Sequence, residues 1–169
     1  MKNRDIIINL SEVYKDIDSL TYKYAEVSEV PSPSVRNGMQ SDTTESLDGH
    51  VLARAVEYRD ARLRAEIGRF LRYECQTSVT DELRSRNTIV YRLSLDDEFQ
   101  DALLRPVCTI IHRYLVFGAL FDWYGPGMGS RQAQNYEREL TELEVELTNN
   151  LNAVTIVQKV KQPFGRRLY

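Results

Sequence analysis

Residues 106–151 read PVCTIIHRYLVFGALFDWY, then GPGMG, then SRQAQNYERELTELEVELTNNL from Ser130 onward. This passage decides the fold. Val107, Ile110, Ile111, Tyr114, Leu115 and Phe121 recur at the three-and-four spacing of one helix face. Gly125–Gly129 then stops the helix and turns the chain. Ser130 is placed to cap a further helix, in which Tyr136, Leu140, Leu143, Leu147 and Leu151 form a narrow apolar stripe. Two helices joined by a short glycine-rich turn pack side by side and antiparallel, so residues 106–150 are expected as a helix hairpin.

The inward pattern extends upstream to Phe99 and Leu103, with Asp96-Asp97 as an N-cap. Pro106 lies inside that pattern, which predicts either a kink or the first turn of a new helix. Before it, Thr88–Leu95 (TIVYRLSL) alternates Ile89, Tyr91, Leu93 and Leu95 with polar or smaller neighbours, the period of a strand. Towards the N-terminus, a helix is expected from about Leu47 or Gly49 to Tyr73, with Leu52, Val56, Leu63, Ile67, Phe70 and Leu71 as its stripe. Residues 28–48, with Pro31, Pro33 and Asn37-Gly38, read as a long loop ordered by a partner or left as a linker. A first helix is expected from Glu12 to about Ala25, capped by Ser11 and carrying Val13, Ile17, Leu20 and Tyr24 inward. Ile6–Ile8 and Val154–Val160 read as strands, and residues 161–169 as an extended basic tail.

The expectation is therefore a mainly α fold (α+β) in one domain spanning 1–169. It contains about four helices with the hairpin at 106–150, and a small β component at 6–8, 88–95 and 154–160. A chain of 169 residues, 42% hydrophobic and 28% charged, is neither collagen-like nor disordered throughout. Cys75 and Cys108 are too few for a disulfide framework, and no Cys/His spacing suggests zinc. The opening Met1–Asp5 leads into only a short apolar run, which does not read as a signal peptide. Val107–Tyr124 is interrupted by His112, Arg113 and Asp122, which favours a buried core helix over a membrane span.

Catalytic patterns are sparse. His50 and His112 belong to no nucleophile–base motif, Asp96-Asp97-Glu98 reads as a capped helix start, and the Gly125–Gly129 turn lacks the Lys-Ser/Thr of a phosphate loop. No enzyme activity, cofactor or metal is expected. The net charge of −3 argues against general nucleic-acid binding, yet 17 of the 22 basic residues are arginine. Arg54, Arg59, Arg62, Arg69 and Arg72 fall on the second helix among acids, and are expected to contact DNA, a lumen or another subunit. The last helix is glutamate-rich, which gives the chain opposed charged faces suited to copies of itself.

From Tyr91 onward, YRLSL, DDEFQDALLRPVCTIIHRYLVFGALFDWY, the glycine turn, SRQAQNYERELTELEVELTNNL and KVKQPFGRRLY follow in an order that resembles small structural proteins from the morphogenesis cassettes of tailed bacteriophages, those of gut Bacteroidetes in particular. Phe121, Trp123 and Tyr124 at one helix end, Ala133 and Tyr136 at the next entry, and Pro163, Arg166 and Arg167 near the terminus carry the resemblance. The opening INLSEVYKDI fits as well, and coverage runs from Thr88 to Tyr169.

The resemblance implies a virion neck component, a head–tail connector, adaptor or ring protein. It would be made in the host cytoplasm and assembled in about 12 copies beneath the portal. Its partners would be the portal, neighbouring neck and tail proteins, and genomic DNA in transient, non-specific contact, with no membrane. Lys159, Lys161, Arg166, Arg167 and Tyr169 are then expected at contacts between rings. The alternative is a small cytoplasmic DNA-binding or regulatory adaptor using the arginine-rich helix.

Overall fold

Alternation at Ile6 and Ile8 against Ile89, Tyr91, Leu93 and Leu95 makes one face of a strand pair apolar, and that face must be covered. The computed structural model describes residues 1–27, 47–72, 87–124 and 131–153. Along the chain these form β1 (Lys2–Asn9), α1 (Leu10–Val27), α2 (Leu47–Glu66), β2 (Thr88–Leu95), α3 (Leu104–Tyr124) and α4 (Arg131–Leu151), with 3-10 turns at Gly68–Phe70 and Asp101–Leu103. β1 and β2 pair antiparallel from Lys2 opposite Leu95 to Asn9 opposite Thr88. The fold is mainly α with a small two-stranded sheet.

The helix α3 packs against each of the other three helices and against β1. Its apolar residues Val107, Ile110, Ile111, Tyr114, Leu115, Val116, Ala119 and Leu120 are buried. By length and composition the stretch Asp101–Tyr124 could cross a membrane; here its apolar side chains belong to the core cluster shared with α1, α2, α4 and the sheet. Pro106 sits in the first turn of α3, where a missing N–H costs no intrahelical bond. The hairpin of α3 and α4 runs antiparallel: Tyr124 stacks on Tyr136 at 6.1 Å, while ten residues back along α3 the Tyr114 hydroxyl reaches Glu144 further along α4. Every residue of the expected α4 stripe is buried, from Tyr136 to Leu151.

Several boundaries differ from the expectation, and the helix expected after Asp96-Asp97 begins only at Leu104, the Asp96 carboxylate instead accepting from the Glu98 N–H at 2.9 Å. β1 extends from Lys2 to Asn9 rather than only 6–8, because the backbone ladder continues past the apolar run. Asn9, not Ser11, caps α1: its Oδ1 accepts from both the Ser11 N–H (3.0 Å) and the Ser11 hydroxyl (2.8 Å). The second helix begins at Leu47, within the expected range, so residues 47–48 of the expected loop belong to it, and residues 28–46 lie outside the described residues. The second helix stops at Glu66 instead of Tyr73, and Gly68–Phe70 tightens into a 3-10 turn. That turn lets Leu71 bridge to Leu93 and the Arg72 N–H donate to the Arg92 carbonyl, so the sheet edge competes successfully for the chain. The expected strand at 154–160, the Gly125–Ser130 turn and the tail lie outside the described residues.

Because α3 is surrounded, truncating it leaves a cavity that its neighbours cannot collapse into. Leu115→Ala, at a fully buried position, is expected to cost about 2–5 kcal/mol in urea denaturation. Val145→Ala, on the outer side of α4, is expected to change stability by less than about 0.5 kcal/mol.

Candidate functional site

On α3, Tyr114, Gly118, Phe121 and Asp122 fall at helical spacings that place them on one side, toward α2. Gly118 leaves a gap there, and Arg59 of α2 fills it. A Cβ at position 118 would stand 2.6 Å from both Cγ and Cδ of Arg59. The guanidinium continues past the glycine to Asp122, with Nε donating to Oδ2 at 2.9 Å and a terminal nitrogen donating to Oδ1. It lies 5.2 Å from the centre of the Phe121 ring. Arg59 is only 3% exposed. Burial works against its charge, but the hydrogen bond and charge of Asp122, with Tyr114 adding to them, hold it above its ordinary value.

Two further polar clusters flank this one. On the side of the sheet, the Tyr91 hydroxyl donates to Asp60 Oδ1 at 2.6 Å, and Arg64 Nε donates to the same carboxylate. The Arg64 guanidinium also donates to the Val90 carbonyl and lies 4.6 Å from the centre of the Tyr91 ring. Burial first, then the Asp60 charge, raises the Tyr91 phenol well above its usual range. On the side of α4, the Tyr114 hydroxyl donates to Glu144 Oε1 at 3.1 Å, and Arg62 approaches the same oxygen at 3.9 Å. Burial, followed by Glu144, pushes Tyr114 up to about 12. One turn and a half of α2 thus fastens it to α3, α4 and β2.

The five arginines expected at DNA, lumen or subunit contacts stand in different surroundings. Arg59 faces inward, which removes it from any DNA or lumen surface. Arg62 is half-exposed against Glu144. Arg54 is exposed, with Glu57 at 4.0 Å. Arg69 and Arg72 lie beyond the end of α2; Arg69 donates to Asn152 Oδ1 at 3.1 Å and lies over the Phe70 ring, and Arg72 is exposed. Lys159, Lys161, Arg166, Arg167 and Tyr169 lie outside the described residues.

His50 is exposed, and His112 Nε2 stands 2.9 Å from Asp16 Oδ2, joining α3 to α1. Among the described residues no three His, Cys, Asp or Glu side chains gather where a metal could sit. Asp60, Asp122, Glu144 and Gly118 carry the clusters, and the sequence reading singled out none of them for that role. The available signal was Asp122 itself, an acid inside the most apolar helix. The chain matches no protein-family model, no curated protein and no solved structure.

Gly118→Ala is expected to destabilise the fold by about 1–3 kcal/mol, because the stem of Arg59 is pinned at its far end and cannot swing aside. In an Arg59→Ala background the same change is expected to cost much less, and a double-mutant cycle in urea reads the difference. The folded state keeps the Tyr91 and Tyr114 phenols protonated where unfolded tyrosine ionises near pH 10. Their contribution is complete below pH 10 and is lost as the pH climbs through the folded value, about 12 for Tyr114. Tyr114→Phe is expected to flatten this alkaline fall in urea midpoints measured between pH 10 and 12.

Proposed function

We propose that this chain is a non-enzymatic structural subunit of a tailed-phage neck, one of about a dozen copies in a ring below the portal through which DNA passes. One observation carries the reading. The polar clusters of the described residues, Arg59–Asp122, Asp60–Tyr91–Arg64 and Tyr114–Glu144–Arg62, each join one element of the fold to another. These side chains serve the rigidity of a building block, and among the described residues Arg54, Glu142 and Glu146 stand exposed on α2 and α4, where neighbours can meet them.

The resemblance carried by Phe121, Trp123, Tyr124, Ala133, Tyr136 and the Pro163–Arg167 terminus points the same way. Lateral contacts then fall to the outer faces of α2 and α4, and contacts to adjacent rings to residues 28–48 and the basic tail. Occupying Arg59, Arg62 and Arg64 within the chain leaves less of the arginine excess for phosphate, which weakens the DNA-binding adaptor reading.

Light scattering of the purified protein, alone and mixed with portal, tests this. The expected result is a discrete assembly of about a dozen copies or a stable complex with portal. A monomer that ignores portal and binds DNA with a steep salt dependence would overturn it.

A further inference from the structure

The register of β1 on β2 fixes which backbone groups of β1 are left over. The Leu10 N–H donates to the Asn87 carbonyl at 3.0 Å, one step beyond the ladder position that pairs Asn9 with Thr88. Leu10–Asn87 is therefore a hydrogen-bonded pair, and alternation makes Ile8–Ile89, Ile6–Tyr91 and Arg4–Leu93 such pairs too. Asn3, Asp5 and Ile7 consequently turn their N–H and C=O groups away from β2. The far edge of β2 follows the same rule and is covered: its Arg92 carbonyl accepts from the Arg72 N–H and its Val90 carbonyl from Arg64. On β1 the Asn3 carbonyl accepts from the Arg4 guanidinium, and among the described residues nothing meets the N–H and C=O of Asp5 and Ile7. The Ile7 side chain stands beside them, 62% exposed. An open strand edge carrying an apolar side chain is a template for another strand.

The sequence holds a segment of matching length. Val154–Val160, VTIVQKV, alternates Val154, Ile156 and Val160 with Thr155, Val157 and Lys159, and it follows directly on Ala153, the last described residue. Its starting point decides which β1 it can meet. Asn152 Oδ1 accepts from Arg69 at 3.1 Å, and Leu71, two residues further on, bridges to Leu93. The helix α4 thus ends on the β2 side of the sheet, and the open edge of its own β1 lies three strand spacings away, about 14 Å. Crossing that distance would use about four residues of so short a segment and leave too few to pair.

We infer that Val154–Val160 of one copy adds to the free edge of β1 on the next copy as a third strand, main chain to main chain. Val154 and Ile156 then continue the face of Ile6 and Ile8, and Val157 covers Ile7. Arm and edge are different surfaces, so the contact is head to tail, and it closes into a ring when the rotation per copy divides a full turn. The inference rests on the ring-subunit reading and gives it a lateral junction.

Cross-linking of the full chain tests it. Ile7→Cys and Val157→Cys are introduced together with Cys75→Ser and Cys108→Ser, which remove the native cysteines, and a short bis-maleimide is added. Denaturing gels are expected to show a ladder of covalent multimers. With Ile7→Cys and Val157→Cys on separate chains, a cross-linked pair is expected only when the two are mixed. Ile156→Pro, outside the described helices and sheet, removes an N–H from the segment and forbids a regular strand there. It is expected to abolish the multi-copy assembly in light scattering while leaving the helical circular dichroism unchanged.

A cross-link confined to single chains would overturn the exchange and return the segment to its own chain. No cross-link at all, or an Ile156→Pro chain that keeps the wild-type mass, would overturn it as well. In each of these cases a wild-type chain that forms a multi-copy assembly leaves the ring reading standing. A wild-type chain that is monomeric with and without portal would remove the ring reading and this junction with it.

Discussion

An arginine enclosed between helices is tolerated only where its charge is matched and its donors are used, since an ionised group taken from water without a partner costs several kcal/mol. Arg59 meets that condition through the two oxygens of Asp122, and it reaches them only because Gly118 has no side chain. The requirement constrains three positions on two helices together. It fixes how α2 is rotated about its own axis, and that rotation presents Asp60 and Arg64 to the sheet and Arg62 to α4. Each later contact inherits its geometry from the first.

This dependence explains the preference for arginine over lysine in a chain of modest charge. A planar guanidinium offers donors in a fixed fork, so one group can bind a carboxylate and lie over an aromatic ring at once. Arg64 does both and also donates to a backbone carbonyl, with Asp60, Tyr91 and Val90 as its partners. The long stem adds apolar surface on the way, as the Arg59 methylenes do against Gly118. A lysine ammonium could serve one of these contacts and would leave the others open.

The hairpin of α3 and α4 and the strand Thr88–Leu95 were legible in the sequence, because burial there follows a single apolar period from end to end. The limits of β1 were not, since Lys2–Asp5 joins the ladder through its backbone with little apolar signal of its own. The end of α2 was missed for a related reason: Phe70 and Leu71 keep the helical rhythm, yet the open edge of β2 offers Leu71 a bridge that outweighs another turn of helix. The candidate site was the least legible part. Along α2 and just past its end the buried series runs Leu52, Val56, Arg59, Leu63, Ile67, so the arginine occupies a core place in the rhythm that a reading by residue type assigns to solvent. Asp122 interrupts α3 in the same manner. Each looks like an error in its own helix and makes sense only with the other, and no local pattern links positions 63 residues apart.

The ladder between β1 and β2 has a consequence for the order in which the molecule is made. Ile8 faces Ile89, so the first strand leaves the ribosome about 80 residues before the strand that pairs with it. During that interval Ile6 and Ile8 have no sheet partner, and α1 and α2 must wait as well for α3, which is translated later still. Closing so long a loop carries its entropy cost before the contacts that repay it exist. β1 is thus synthesised well before β2 and waits for it before the ladder can lock it in place.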